Sequence, residues 1–364
     1  MSEPIPLMDG VRTNQVVILP IAMLKVSEIR YRRRDTAKMA RPRWLLQAEA
    51  SFFRALMNMG MYLHRVSPPI PPRHNFTRNI PITVSPTKGE IGLYFYTPPS
   101  YPPPLDSPCR YPVVVNFHGG GFTLGHATDD VRWAASVVSH ADALVVSVDY
   151  RLAPEHPFPA AIEDGVDTLL YLSAHAEELH IDPLRVGISG FSAGGNMAYT
   201  VPLRLYEEYR QQPKLPQLMI VVIATWYPST DFTATRAHRR GTSLRPDKEL
   251  PKLFTDMFDA SYLYPPKSVP LDSPYLSPGV ASEELLRKLP PVIYMYTCEW
   301  DELLQEAESF RVRLESEGVG KKVFYKKVDR AAHAWDKTVG PRDRRREILY
   351  KEVCEGLRNV FYKD

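Results

Sequence analysis

The spacing of apolar residues changes character along the chain. Between Arg43 and Leu63, bulky apolar groups recur at steps of three and four: Trp44, Leu45 and Leu46, then Phe52 and Phe53, Leu56 and Met57, and Met61, Tyr62 and Leu63. That period predicts a helix with a broad apolar face, ending before Pro68-Pro69 and Pro71-Pro72. Short β-rich runs follow. They predict strands over Ile80–Val84 and Glu90–Tyr96, joined by a Lys88-Gly89 turn, and then a proline-rich surface connection over Pro98–Pro104. The continuous apolar run Tyr111–Phe117 is of the kind buried on both faces in a parallel sheet.

Beyond it the two periods alternate. Helices are predicted over Asp129–Ser139, Pro159–His175, Asn196–Arg210 (despite Pro202), Glu302–Glu317 and Arg344–Tyr362. Strands are predicted over Ala143–Val148, Val186–Ser189, Leu218–Ala224, Val292–Thr297 and Lys322–Lys327. Repeated strand-helix units imply an α/β fold, a mostly parallel sheet with helices on both faces. The stretch from Phe232 to about Pro290 interrupts the alternation: it is rich in Pro, Ser and charge, has no strong periodicity, and reads as an insertion over the active site. The chain therefore divides into an N-terminal segment (1–80), a first part of the core (81–231), the insertion (232–290) and a second part of the core (291–364). The helix beginning at Arg43 either packs on the sheet or covers the site, and periodicity leaves both roles open.

Composition narrows the function classes. An apolar content of 44% is ample for a buried core, and a net charge of +3 from 45 basic and 42 acidic residues provides no field of the kind that favours nucleic acid. The basic runs Arg30–Arg34 and Arg342–Arg346 each have acids beside them and read as solvated surface. Cys109, Cys298 and Cys354 have no metal-ligand spacing and are odd in number, so no metal site or disulfide framework is expected, and a reducing compartment, the cytoplasm, fits best. The apolar run Val16–Leu24 is broken by Pro20 and falls short of the roughly 18 residues that span a bilayer, so no transmembrane segment is expected. Two readings of it stay open: it dips into a membrane surface, or it covers a pocket. The sequence does not specify an oligomeric state.

Chemistry concentrates in Gly190-Phe191-Ser192-Ala193-Gly194-Gly195, where a β-rich run enters a Gly-x-Ser-x-Gly turn and leaves through residues that can start a helix. Ser192 is the candidate nucleophile, and small neighbours are needed because the serine must sit on a sharp, strained turn. The strand Tyr111–Phe117 runs into His118-Gly119-Gly120-Gly121-Phe122, which leaves backbone N–H groups uncovered. Gly120 and Gly121 are the proposed donors to a transient oxyanion, with Gly119 helping the turn. A serine hydroxyl needs a base and a carboxylate that orients the base. Only His238 and His333 follow the serine; His238 lies in the charged Arg236–Arg240 stretch and is expected to be exposed, which leaves His333. Asp301 follows the strand ending at Thr297 and leads as the acid, although Glu299, Glu302 and Asp329 are close in sequence and Asp231 follows an earlier strand.

With these motifs the chain resembles the hormone-sensitive-lipase-like group of α/β-hydrolases. The resemblance covers roughly residues 80 to 360. It rests on the His118–Phe122 run, on Asp149-Tyr150-Arg151-Leu152-Ala153-Pro154-Glu155 followed by Phe158-Pro159-Ala160, and on Gly190–Gly195. It implies the α/β-hydrolase fold, hydrolysis of carboxylic esters without a cofactor, and a mainly helical cap built from the N-terminal segment and the insertion. Carried over by residue, Ser192 is the nucleophile, Asp301 the acid, His333 the base, and Gly120, Gly121 and Ala193 supply oxyanion-hole N–H groups. Two positions depart from the group's commonest pattern: Phe191 stands where Asp is frequent, and Ala334 where Gly is frequent. Phe191, with Phe122, is expected to line the substrate site and make its floor apolar.

The function expected is a serine hydrolase acting through an acyl-enzyme on small to medium apolar esters. A hydrolase dedicated to one metabolite of a biosynthetic pathway and a non-catalytic receptor on the same fold are the alternatives; a receptor would be expected to have lost the nucleophile or the base.

Overall fold

The computed structural model describes residues 41–104, 107–338 and 344–363. The Val16–Leu24 and Arg30–Arg34 runs lie outside them. Among the described residues eight strands form one sheet: β1 (Phe76–Pro81), β2 (Glu90–Tyr96), β3 (Tyr111–Phe117), β4 (Leu144–Asp149), β5 (Ile181–Phe191), β6 (Ile220–Trp226), β7 (Val292–Trp300) and β8 (Lys322–Ala332). Their order is β1-β2-β4-β3-β5-β6-β7-β8. β1 and β2 pair antiparallel, as do β2 and β4, and every later pairing is parallel.

Helices α1 (Arg43–Val66), α2 (Val131–Ala141), α3 (Ala160–Ala174) and α4 (Ala193–Gln211) are followed by the short α5 (Arg236–Gly241), α6 (Lys252–Tyr262) and α7 (Glu283–Leu286), then α8 (Leu304–Glu315) and α9 (Arg345–Phe361). Alternate residues of β3 face opposite layers. Val113, Val115 and Phe117 join the core beneath α3, α4 and α8, whereas Val114 joins the core beneath α2 and α9. Burial of both faces is why these central strands read as unbroken apolar runs. Among the described residues no helix is long and apolar enough to cross a membrane.

Several boundaries differ from the sequence reading, each for a tertiary reason. β1 runs over Phe76–Pro81 instead of Ile80–Val84, because Phe76 stacks on Phe95 of β2 at 4.4 Å. The Thr83 and Val84 N–H groups bond instead to the Asp167 carboxylate, at 3.0 and 3.1 Å. β7 and β8 run past Thr297 and Lys327 because Cys298 pairs with Val328 and Trp300 with Ala332. Asp301 and His333 therefore follow their strands directly. The 232–290 stretch, read as lacking periodicity, contains helices. In α6 the spacing of Phe254, Met257, Phe258 and Tyr262 was a readable helical signal.

The basic run ending at Arg346 is not wholly solvated, contrary to expectation. Arg346 is buried on the inner side of α9 and donates to the Asp336 carbonyl at 3.1 Å. Its guanidinium satisfies the loop that follows His333.

β3 has β4 on one side and β5 on the other, so the chain reverses its direction of travel across the sheet between these strands. In an open α/β sheet such a switch point opens a crevice at the carboxyl ends of the strands. The loops after Phe117 and Phe191 both emerge there.

Candidate active site

The turn from β5 into α4 holds Ser192 at φ 54° and ψ −112°, a conformation its neighbours enforce. A Cβ on Gly190 would collide with the Gly194 carbonyl, and one on Gly194 with the Phe117 carbonyl. Only glycines allow β3, β5 and α4 to approach this closely. The Ser192 N–H donates to the Trp226 carbonyl at 2.9 Å, which anchors the strained residue to β6.

Three residues far apart in sequence meet here. His333 Nε2 lies 2.8 Å from Ser192 Oγ, and His333 Nδ1 lies 2.7 Å from Asp301 Oδ2. With Nδ1–H donating to the carboxylate, Nε2 is left to accept the serine O–H. Burial by itself would lower the His333 pKa, but the Asp301 charge and hydrogen bond outweigh it and hold the imidazole above its ordinary value. The remaining Asp301 oxygen accepts the Leu303 N–H at 3.0 Å. Of the competing acids, Glu299 accepts the Arg330 N–H, Asp231 the Thr233 N–H, and Glu302 pairs with Arg236 at 3.1 Å. Asp329 and His238 are exposed, His238 as expected.

Gly120 and Gly121 have positive φ, as do Phe122, Tyr227 and Ala334 around the same site. The glycines adopt this conformation freely, whereas Phe122, Tyr227 and Ala334 hold it at a cost, and such strain clusters at active sites and ligand clamps. Ala193 is the first residue of α4, so its N–H belongs to the helix terminus and has no acceptor within the helix. The Asp149–Glu155 motif braces the glycine loop: Tyr150 donates through its hydroxyl to the His118 carbonyl at 2.8 Å, and the Ala153 N–H donates to the Phe122 carbonyl at 2.8 Å. Arg151 is held in turn by a paired contact with buried Asp164 at 2.6 Å.

Two clefts meet at Ser192 and His333. One, of about 60 Å³, is walled mainly by Met57, Met61, Leu124, Phe191 and Phe254, with Asp129, Asp130 and Lys337 also on its lining. Burial, then the charge of Asp130, pushes the Asp129 carboxyl up to about 7. The other cleft, of about 40 Å³, is more polar and includes Phe122, Ser229, Arg236 and Asp259. Phe191 thus borders the first cleft and Phe122 the second. The Phe191 ring is fully buried, parallel to Trp226 at 5.9 Å, and the Phe122 ring stacks on Tyr262 at 3.8 Å.

The sequence reading missed the buried network beside the Phe191 ring. Lys337 joins Asp130 at 2.6 Å and Asp336 at 3.1 Å, and Asp336 accepts the Tyr227 and Tyr350 hydroxyls at 2.5 Å each. The departure from the usual pattern at Phe191 was the one local hint of this rearrangement.

A strained serine at a strand-to-helix turn, an aligned histidine and aspartate, and a glycine loop at a switch point define an α/β-hydrolase of the serine type. The comparisons with known proteins agree. The family described as alpha/beta hydrolase fold matches residues 114–337. Esterase LipI of Mycobacterium tuberculosis is 32% identical over 251 residues, covering 69% of this chain and 73% of its own. Carboxylesterase NlhH of the same species is 35% identical over 213 residues, covering 57% of this chain and 62% of its own. The solved hyperthermophilic esterase from Pyrobaculum calidifontis superposes with a TM-score of 0.69 at 24% identity, over 87% of this chain and 96% of that one, and shows the shared fold. The chain belongs to the hormone-sensitive-lipase-like family of α/β-hydrolases, and its enzyme class is carboxylic ester hydrolase.

Proposed function

We propose that Ser192 attacks the carbonyl of a small to medium apolar ester, with His333 as base, Asp301 as the orienting acid, and the N–H groups of Gly120, Gly121 and Ala193 as the oxyanion hole. The unbroken hydrogen-bonded line from Ser192 through His333 to Asp301 carries this reading. As the Oγ–C bond forms, the serine proton passes to Nε2 and the carbonyl π electrons move onto oxygen, which the three N–H groups stabilise. The C–O bond to the alcohol then breaks, and the alcohol leaves with the proton from Nε2. Water, deprotonated by the same nitrogen, attacks the acyl-enzyme and releases the acid and free serine.

The α1 and α6 helices act as the cap, since Met57, Met61, Phe254 and Phe258 supply the apolar walls. The two halves of the ester occupy the two clefts, with Phe191 walling one and Phe122 the other. The apolar walls of this cleft suit the acyl or alkyl part of an ester. All three cysteines are free, in keeping with a reducing compartment such as the cytoplasm.

Purified Ser192→Ala should lose nearly all cleavage of a short p-nitrophenyl ester, and a fluorophosphonate should label wild type at Ser192. An unlabelled, folded wild type, or a variant as fast as wild type, would overturn the assignment.

A further inference from the structure

We infer that Arg54, on the cap helix α1, is a positioning residue that sets the aim of the glycine-loop N–H groups. The inference rests on the reading of that loop as the oxyanion hole.

Every carbonyl from His118 to Thr123 has a named donor. The His118 carbonyl accepts the Tyr150 hydroxyl at 2.8 Å, and the Gly119 carbonyl lies 2.9 Å from His118 Nδ1. The Gly120 carbonyl accepts the N–H groups of Thr123 and Leu124 at 3.1 and 2.9 Å. The Gly121 carbonyl accepts the Thr123 hydroxyl at 3.1 Å, and the Phe122 carbonyl accepts the Ala153 N–H at 2.8 Å. These donors belong to the loop itself or to the brace after β4. The Thr123 carbonyl differs, because its donor is Arg54 Nε at 2.9 Å, from a helix 69 residues upstream.

A peptide unit is planar, so fixing a carbonyl also fixes the N–H of the next residue. Arg54 fixes the Thr123 carbonyl, and that plane carries the Leu124 N–H, which donates to the Gly120 carbonyl at 2.9 Å. The Gly120 plane in turn carries the Gly121 N–H. The same guanidinium donates to the Ala153 carbonyl at 2.8 Å and reaches both Glu155 oxygens, at 2.7 and 3.2 Å. It therefore ties the loop and its brace to one rigid fork, which a lysine cannot reproduce. Arg54 lies one turn from Met57, which lines the cleft, so the helix that touches substrate also holds the loop. The α6 helix adds a steric stop: a Cβ on Gly121 would collide with the Phe258 ring. Arg54 lies outside residues 114–337, the part matched by the family.

The test compares wild type, Arg54→Ala and Arg54→Lys on a short p-nitrophenyl ester, together with inhibition by a trifluoromethyl ketone, whose tetrahedral adduct places an oxyanion in the hole. Misaimed donors should lower kcat by about 10- to 100-fold. KM should stay within about threefold while ketone affinity weakens in parallel with kcat, because only the tetrahedral state uses those donors fully. Millimolar guanidinium should restore part of the Arg54→Ala rate. The inference is overturned if a folded Arg54→Ala keeps wild-type kcat and ketone affinity, or if the loss falls on KM alone. If that variant does not fold, Arg54→Lys decides, and kcat within twofold of wild type overturns the inference. A wild-type rate in Ser192→Ala would instead remove the parent reading, whereas an inactive Ser192→Ala beside fully active Arg54 variants removes this inference alone.

Discussion

The Lys337 ammonium stands 3.8 Å from the centroid of the Phe191 ring, whose residue immediately precedes the serine. Where the family frequently has Asp, this chain has an aromatic face that attracts the cation through its quadrupole. Burial would depress the Lys337 pKa, but Asp130 and Asp336 outweigh it and hold it above the ordinary lysine value. Lys337→Met would leave both carboxylates buried without their counter-charge, a situation that costs about 3–5 kcal/mol. Urea unfolding followed by the fluorescence of Trp133 and Trp226 checks this, and a loss below about 1 kcal/mol would refute the pairing argument.

Activity should fall on the acid side as His333 gains its proton. Because the folded pKa of His333 is raised, the midpoint of that limb in kcat/KM should lie above the unperturbed value of about 6.5. Asp301→Asn removes the charge that raises it and leaves desolvation dominant. The limb should then move to lower pH, and kcat should drop by about 10⁴-fold through the wrong tautomer. An acid limb unmoved in the variant would detach His333 from the pH profile.

The Met57 side chain is buried against the apolar cleft. Met57→Ala should widen it and favour longer chains. Each extra buried methylene contributes about 0.8 kcal/mol, or roughly fourfold. A p-nitrophenyl ester series from two to eight carbons should therefore shift its kcat/KM optimum by about two carbons. An unchanged optimum would place the chain elsewhere.

Ala334, where the family often has Gly, adopts φ 58° and ψ 30°. A left-handed alanine costs about 1–2 kcal/mol, partly offset by the extra unfolded-state freedom a glycine would bring. Ala334→Gly should raise stability by up to about 1 kcal/mol with kcat within twofold. Destabilisation on urea unfolding would show that the methyl group contributes packing here.

The strands, the elbow and the order of serine, aspartate and histidine were legible because each depends on short-range pattern. The apolar run of β3 reflects burial on both faces, and Gly190 and Gly194 reflect a local collision. The ends of β7 and β8 were not legible, because Cys298 and Trp300 extend only where Val328 and Ala332 lie alongside. Arg346, read as part of a solvated run, is inside because the turn of α9 carries it to the Asp336 carbonyl. The α6 helix was readable from its apolar spacing, but the density of Pro and charge around it obscured that signal.

By itself, the sequence determined the alternating layers, the glycine-flanked serine turn and the serine, histidine and aspartate that the structure brings together, since turns, periods and residue types are properties of neighbouring positions. Only the tertiary structure decided that Asp301, His333 and Ser192 align within hydrogen-bond distance, that Lys337 stands against the face of Phe191, and that Arg54 reaches the Thr123 carbonyl. Those contacts join residues separated by tens to more than a hundred positions. They exist only once the helical layers pack on the sheet and bring the loop ends together, so no local pattern encodes them.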